Sequence, residues 1–412
     1  MKIIWMVIAM FAASIGSSTT ANAQAPPTLG STQGPLSPTR DVPLAIHPPP
    51  EEQRLRVVIA GMVHGHVDGF LANAVKRTDI EIVGVAEPDR ALFDAYAKKY
   101  GLDAKLYHAE LEETLRNAHP YAVLVYTNTF DHRKIVEICA KYHVSGRDEY
   151  HISGGGIIEQ RFAVMMEKPL ATTAEDAHAI RDIAQKSHMV VLVNYFANWE
   201  PSRRAAYDIA QKGDIGEVRK VVTHDGHRGP KEIGVGPEFL SWLTDPKLNG
   251  GGALYDFGCY GADFMTWLMN NERPQTVTAV TQQIKPDVYP NVDDEATIVL
   301  TYPRSQAILQ ASWNWPFGRS DVEVYGKTGT VFTWGRDQIE LRRSGEPEVR
   351  KLAASPIPEP QNDSLTYLRS IVLDGLKPEG PGSLETNVIV AEILDAARQS
   401  AKTGKTIKLP TM

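Results

Sequence analysis

At 412 residues, 42% hydrophobic and 23% charged, the chain is long enough to bury a sizeable core and to divide into about two domains. A formal net charge of −7 and the lack of any dense Lys/Arg block argue against nucleic acid as the main partner and leave a small neutral ligand as the simpler expectation. With only two cysteines, Cys139 in a helical pattern and Cys259 in a glycine-rich turn of the other half, disulfides do not frame the fold and a bridge between these two is not expected.

The first residues, "MKIIWMVIAMFAASIGSSTTANAQ", join Lys2 to an apolar run from Ile3 to Ala13 and end on the small-residue box Ala21-Asn22-Ala23. That is the layout of a Sec-type secretory signal covering residues 1–23, and the run is shorter than the roughly 20 residues a membrane span requires. The expectation is a periplasmic or secreted protein with no membrane attachment after cleavage. Residues 24–54 are rich in Pro and polar side chains, without helical or strand periodicity, and predict an extended arm or linker.

From Leu55 the pattern alternates: strand "LRVVIAG", helix "HVDGFLANAVKR", strand "IEIVGVAEPD", helix "RALFDAYAKKYG", strand "AVLVYTN", helix "HRKIVEICAKYH". Strands "FAVMMEKPL" and "VVLVNYF" then flank the helix "TAEDAHAIRDIAQKS". Continuous apolar strands between amphipathic helices predict an α/β domain over residues 55–200, a doubly wound parallel sheet with right-handed crossovers. Residues 145–161, with Gly154-Gly155-Gly156, read as an insertion longer than the usual connection of about 2–6 residues. Residues 201–412 turn β-rich, in "VRKVVTHDG", "QTVTAVTQQIK", "EATIVLTYP", "QAILQASWNW", "VEVYGKTGTVFTW" and "QIELRRS". Period-two alternation there predicts an α+β domain with a large, mostly antiparallel sheet, closed by the amphipathic helix "SLETNVIVAEILDAARQSAKTG".

Three stretches carry chemistry. In "VVIAGMVHGHVDGF" a strand runs through a glycine turn, Gly61-Met62-Val63-His64-Gly65-His66, into a helix, the layout that cradles a pyrophosphate in Rossmann domains. Val63 and His66 fill positions where glycine is usual, while Glu87 ends the second strand, where a carboxylate accepts from ribose hydroxyls and repels a ribose phosphate, favouring NAD over NADP. His64 and His66 alone are a poor metal signature without neighbouring carboxylates or thiols, so no metal is expected; imidazoles at a helix start suit an anionic oxygen, or simply solvent. In "MMEKPLATT", Lys168 is placed to hydrogen-bond a substrate hydroxyl beside the carboxylate of Glu167. In "GGGALYDFGCYGADF", Asp256 and Tyr260 recur at helical spacing, a carboxylate and a phenol on one face for orientation and proton transfer.

Together with the "TNTFDH" run, Asn194 at a strand end, "VDDEATIVL" and the tail "SAKTGKTIKLP", these motifs resemble the Gfo/Idh/MocA oxidoreductase family over Leu55 to Pro410. The resemblance implies a nicotinamide cofactor, NAD rather than NADP, contacted by Gly61 to His66, Glu87, Thr127, Asn128, His132, Glu167, Lys168 and Asn194. It also implies a sugar, glycoside or polyol substrate, with Lys168 as the catalytic lysine, Asp256 as the orienting acid and Tyr260 where many members carry His. His227 and Arg228 in "THDGHRGPKE", with Trp242 in "FLSWL", are candidate sugar contacts, and the C-terminal sheet is the expected homo-oligomer face. Export shapes the choice of reaction, because little free NAD exists outside the cytoplasm. The preferred reading is an exported oxidoreductase that keeps its cofactor; the alternatives are an NAD-dependent, redox-neutral glycoside hydrolase and a non-catalytic sugar-binding protein.

Overall fold

Leu55–Ala60 (β1) is buried at every position except Arg56, as a strand covered on both faces must be. It lies at the centre of a parallel sheet in the computed structural model, which describes residues 54–145 and 162–410. The leader, the arm up to residue 53 and residues 146–161 of the insertion therefore lie outside the described residues. The sheet continues through α1 (His66–Ala74), β2 (Ile80–Ala86), α2 (Arg90–Tyr100), β3 (Tyr107–His108), α3 (Leu111–Ala118), β4 (Ala122–Val125), α4 (His132–Ser145), β5 (Ala163–Glu167), α5 (Ala174–Ser187) and β6 (Val190–Asn194). Its strand order, β3-β2-β1-β4-β5-β6, reverses between β1 and β4, the crevice where doubly wound sheets hold ligands beyond their carboxyl ends.

The chain then forms α6 (Pro201–Gln211), β7 (Val218–Gly226), α7 (Pro230–Ile233), α8 (Pro237–Leu243), α9 (Ala253–Asp256) and α10 (Gly258–Leu268). Strands β8 (Thr276–Gln282), β9 (Glu295–Thr301), β10 (Gln306–Ser312), β11 (Arg319–Gly326), β12 (Gly329–Trp334), β13 (Gln338–Arg343) and β14 (Arg350–Ala353) follow, then α11 (Ser364–Leu373), α12 (Leu384–Thr403) and β15 (Ile407–Lys408). The second sheet has nine strands ordered β14-β13-β12-β11-β7-β10-β9-β8-β15; every pairing is antiparallel except β10 with β7. The two sheets share a core, since one cluster of buried apolar side chains runs from Val58, Val123 and Val164 to Ile298, Leu309 and Leu394. Helix α12 joins them, packing on α5 from the first sheet and on α10 and β8 from the second. Ser383 caps its start by accepting from Thr386 N–H, and Gly404 ends it at φ 66°.

Some expectations need correction. Between α2 and β4 the structure adds β3 and α3, because a two-residue strand is too short to show a pattern. The β-rich segment "VEVYGKTGTVFTW" is a hairpin, β11 turning into β12. The turn from Gly250 onward is not one helix: α9 and α10 are separated at Phe257, so Asp256 closes one helix and Tyr260 lies in the first turn of the next. Cys139 and Cys259 are buried free thiols.

Candidate active site

The carboxyl ends of β1, β4, β5 and β6 converge on the crevice, and each supplies one part of the site. After β1, Gly61 bends the chain at φ 76°; a Cβ there would lie 2.6 Å from Thr127 Cγ2 at the end of β4, so only glycine permits this approach. Most amides of the turn are already engaged: Gly61 with Ala86 O, Met62 with Glu87, His64 with Tyr126 O, and His66 with His64 Nδ1. Val63 and Gly65 are the turn amides left without a partner among the described residues. An open pair of amides before a helix N-terminus fits a pyrophosphate, so the residues present suit a dinucleotide.

Three expected contacts of that dinucleotide are occupied within the chain. Glu87 is buried, with one oxygen 2.7 Å from Met62 N–H and the other 2.9 Å from Asp89 N–H; burial pushes its carboxyl up. Asn128 caps the short turn after β4, accepting from Asp131 N–H and donating to Asp131 Oδ2 at 2.7 Å. Asn194 donates to Glu167 Oε1 at 2.8 Å and accepts from Trp199 Nε1 at 3.0 Å. Trp242 is not the open aromatic platform the sequence suggested. It is buried, donates to Val63 O at 3.2 Å and packs on His64, so that with Phe239 it roofs the glycine turn.

Lys168 follows β5 and leads into a cis peptide bond at Pro169. Its Nζ donates to Asp256 Oδ1 at 2.5 Å and to Asp256 O at 3.0 Å, in surroundings that bury both residues. The other carboxylate oxygen accepts from Trp313 Nε1 at 2.9 Å. Burial opposes both charges, yet their mutual attraction outweighs it: the ammonium is held above its ordinary range and the carboxyl below. Asp256 is set in place from across the second sheet. Asp293, just before β9, takes the amides of Gly252, Ala253 and Leu254 on its side chain and carbonyl, which fixes the start of α9. Gly252 is indispensable here, because a Cβ would fall 1.8 Å from Asp293 O.

Tyr260 lies beneath this pair, its ring centroid 5.1 Å from Lys168 Nζ, and burial pushes its phenol well up. His227 approaches from the loop after β7, its ring edge-on to Phe257 at 4.9 Å; burial pulls its imidazole down, against the opposing pull of Asp256. Arg228 is exposed, and its carbonyl accepts from Lys285 Nζ at 2.7 Å. On the far wall His66 Nδ1 donates to Glu167 Oε2 at 2.8 Å. His132 donates from Nδ1 to Leu170 O at 3.2 Å, leaving Nε2 buried without a partner, and burial pulls this ring down to about 4.

Residues 203–332 match the family model for the GFO/IDH/MocA C-terminal domain. Over these residues the chain is similar to the Gfo/Idh/MocA family of oxidoreductases. Among characterised relatives, trans-1,2-dihydrobenzene-1,2-diol dehydrogenase of Xenopus tropicalis is 25% identical over 249 residues, 57% of this chain and 70% of that one. An NADP-dependent scyllo-inositol 2-dehydrogenase of Bacillus subtilis is 23% identical over 60% of this chain and 72% of its own. Solved structures agree in fold. The aldose–aldose oxidoreductase of Caulobacter crescentus superposes with a TM-score of 0.70 at 20% identity, covering 86% of this chain and all of that one. An inositol dehydrogenase homologue of Azotobacter vinelandii, complexed with NAD+, does so at 0.70 and 19% identity, covering 87% and 98%.

The chain brings together Lys168, Asp256, Tyr260 and His227, which come from three separate stretches of sequence. Sequence reasoning missed Trp313, Phe239 and Asp293. Each sits in a quoted or neighbouring motif, but their roles depend on contacts across more than 30 residues, which no local pattern displays.

Proposed function

We propose that the protein is an NAD-dependent oxidoreductase acting on a carbinol of a sugar, glycoside or polyol. The observation that carries this reading is the buried Lys168–Asp256 pair, anchored by Trp313 and facing the glycine turn across the crevice. A bound nicotinamide would supply the hydride acceptor. Lys168 would donate to the substrate oxygen as that oxygen gains negative charge, and Asp256 keeps the ammonium charged and aimed. His227, kept neutral by burial, is suited to take the hydroxyl proton. Tyr260 is suited to orient the substrate rather than deprotonate it, since its phenol is held protonated.

Glu87 supports NAD over NADP, because a ribose phosphate beside the end of β2 would meet a carboxylate already tied to two backbone amides. The leader supports a periplasmic or secreted location, and with it a cofactor that stays bound. The exposed Val280 and Trp334 on the C-terminal sheet support assembly of copies through that sheet. The test is calorimetry of NAD and NADP on protein stripped of nucleotide, followed by turnover on a panel of sugars and polyols. We expect NAD to bind more tightly than NADP and a ketone product to form. Binding of neither dinucleotide removes the reading. Release of aglycone from aryl glycosides without net reduction of NAD assigns the redox-neutral hydrolase instead.

A further inference from the structure

Sequence spacing alone disfavours a metal at His64 and His66, whose nearest acidic neighbour along the chain, Asp68, is bonded to Lys99 and Tyr100. Folding supplies one. Glu167, 101 positions beyond His66, comes within 2.8 Å of its Nδ1, and one potential ligand atom from each of His64, His66 and Glu167 lies within 4.8 Å of the others. We propose that these three side chains bind a divalent transition-metal ion of the zinc class in the cofactor crevice, a function beyond the hydride-transfer reading.

Two imidazoles and one carboxylate form the donor set of catalytic zinc and related sites, which keep one or more positions open. Hard cations such as Ca²⁺ take oxygen ligands and are disfavoured by it. The parts are oriented as such a site needs. Glu167 is buried and its other oxygen accepts from Asn194 Nδ2 at 2.8 Å, so the carboxylate is held by a neighbour that need not move. His64 is buried among Phe239, Trp242 and the His66 ring, with ring centroids 4.5 to 5.4 Å apart, which restricts its swing. The His66 side chain is 39% exposed and can close the remaining gap. His132 Nε2, at the start of α4, is also buried and without a partner among the described residues. Binding would replace the proton shared by His66 and Glu167, together with the 3.2 Å bond that His64 Nδ1 accepts from His66 N–H. Lys168 follows Glu167 directly, so the ion would share the crevice with the Lys168–Asp256 pair.

Among the described residues the second group of this kind, His224, Asp321 and Glu323 on β7 and β11, already holds a cation: the Arg319 guanidinium donates to both oxygens of Asp321, at 2.9 and 2.8 Å. It serves as the control. Full-length protein freed of metal and nucleotide would be titrated with ZnCl2 and with CaCl2 by calorimetry, and its zinc content measured after gel filtration. The expected result is one zinc per chain, little response to calcium, affinity weakened by about tenfold or more in His66→Ala and Glu167→Gln, and unchanged affinity in His224→Gln. Because His66 is partly exposed, His66→Ala should fold, as circular dichroism would verify, and it decides the matter if Glu167→Gln does not fold. No zinc uptake by the wild type, or wild-type affinity in His66→Ala, overturns the proposal. The titration needs neither NAD nor turnover, so its outcome is independent of the oxidoreductase reading.

Discussion

Lys168 and Asp256 are both almost fully buried, so each charge depends on the other. Removing one partner of such a pair leaves an uncompensated charge and typically costs about 3–5 kcal/mol, whereas replacing both is far milder. Lys168→Met is therefore expected to lower unfolding stability by about 3 kcal/mol as well as reduce turnover by about 100-fold or more, and Lys168→Met/Asp256→Asn to recover much of the stability. Urea unfolding of the two single variants and the double variant checks this, and strictly additive losses would contradict it. The pH behaviour follows from the directions of the shifts. The depressed Asp256 carboxyl contributes stability above the unfolded carboxylate range that is lost as pH falls through its folded value; the raised Lys168 contributes stability below the unfolded ammonium range that is lost as pH rises through its folded value. The pair thus contributes throughout the neutral window. His227 acts in the opposite sense, needing to be neutral to take a proton, so the acid limb of kcat/KM is expected below the ordinary histidine value of about 6.5. In His227→Asn that limb should vanish while kcat falls by about 100-fold; a limb that persists unchanged assigns the proton to another group.

At the scale of elements, Asp256 is positioned by a short helix whose start is fixed from a different part of the chain. Asp293 takes three successive amides, from Gly252 to Leu254, and Asp256 closes the turn that follows. Asp293→Ala removes the two side-chain bonds and, by the scale of helix capping, is expected to cost about 2 kcal/mol in chemical denaturation, with a fall in kcat from the displaced Asp256. Asp293→Asn, which keeps one acceptor, should recover part of both; equal stability of the Ala variant and wild type would refute this account of α9. The same elements show what a sequence discloses. The buried strand β1, the capped helix α12 between Ser383 and Gly404, and the strands β7 to β10 were legible because their signals are local: apolar runs, period two, a serine cap and a terminal glycine. Lys168, Asp256 and Tyr260, singled out from their motifs, are brought together by the fold. Strands β3, β14 and β15 were not legible, since two to four residues carry no period, and the start of α9 at Gly252 is fixed by Asp293, 41 positions away. The His66–Glu167 contact was invisible for the same reason, because β1 and β5 come together only in the sheet order.

At the scale of the whole molecule, the second half of the chain closes over the first. Helix α8 lays Phe239 and Trp242 on the glycine turn: the Phe239 ring lies 3.0 Å from where a Gly65 Cβ would be, and Trp242 donates to Val63 O. A dinucleotide reaching the amides of Val63 and Gly65 must pass this roof, and once beneath it would be held there. That arrangement suits slow exchange of a bound dinucleotide, as the proposed export would require. Two consequences can be measured by stopped-flow fluorescence. NAD binding should change tryptophan emission in the wild type and much less in Trp242→Phe, because Trp242 exchanges its contacts at the turn. Phe239→Ala should raise both association and dissociation rates, on the order of tenfold, the change produced by about 1.4 kcal/mol of barrier. A Phe239→Ala variant with wild-type exchange rates, or a Trp242→Phe variant with the full emission change, would mean that the dinucleotide enters by another route and that the roof only stabilises the junction of the two sheets.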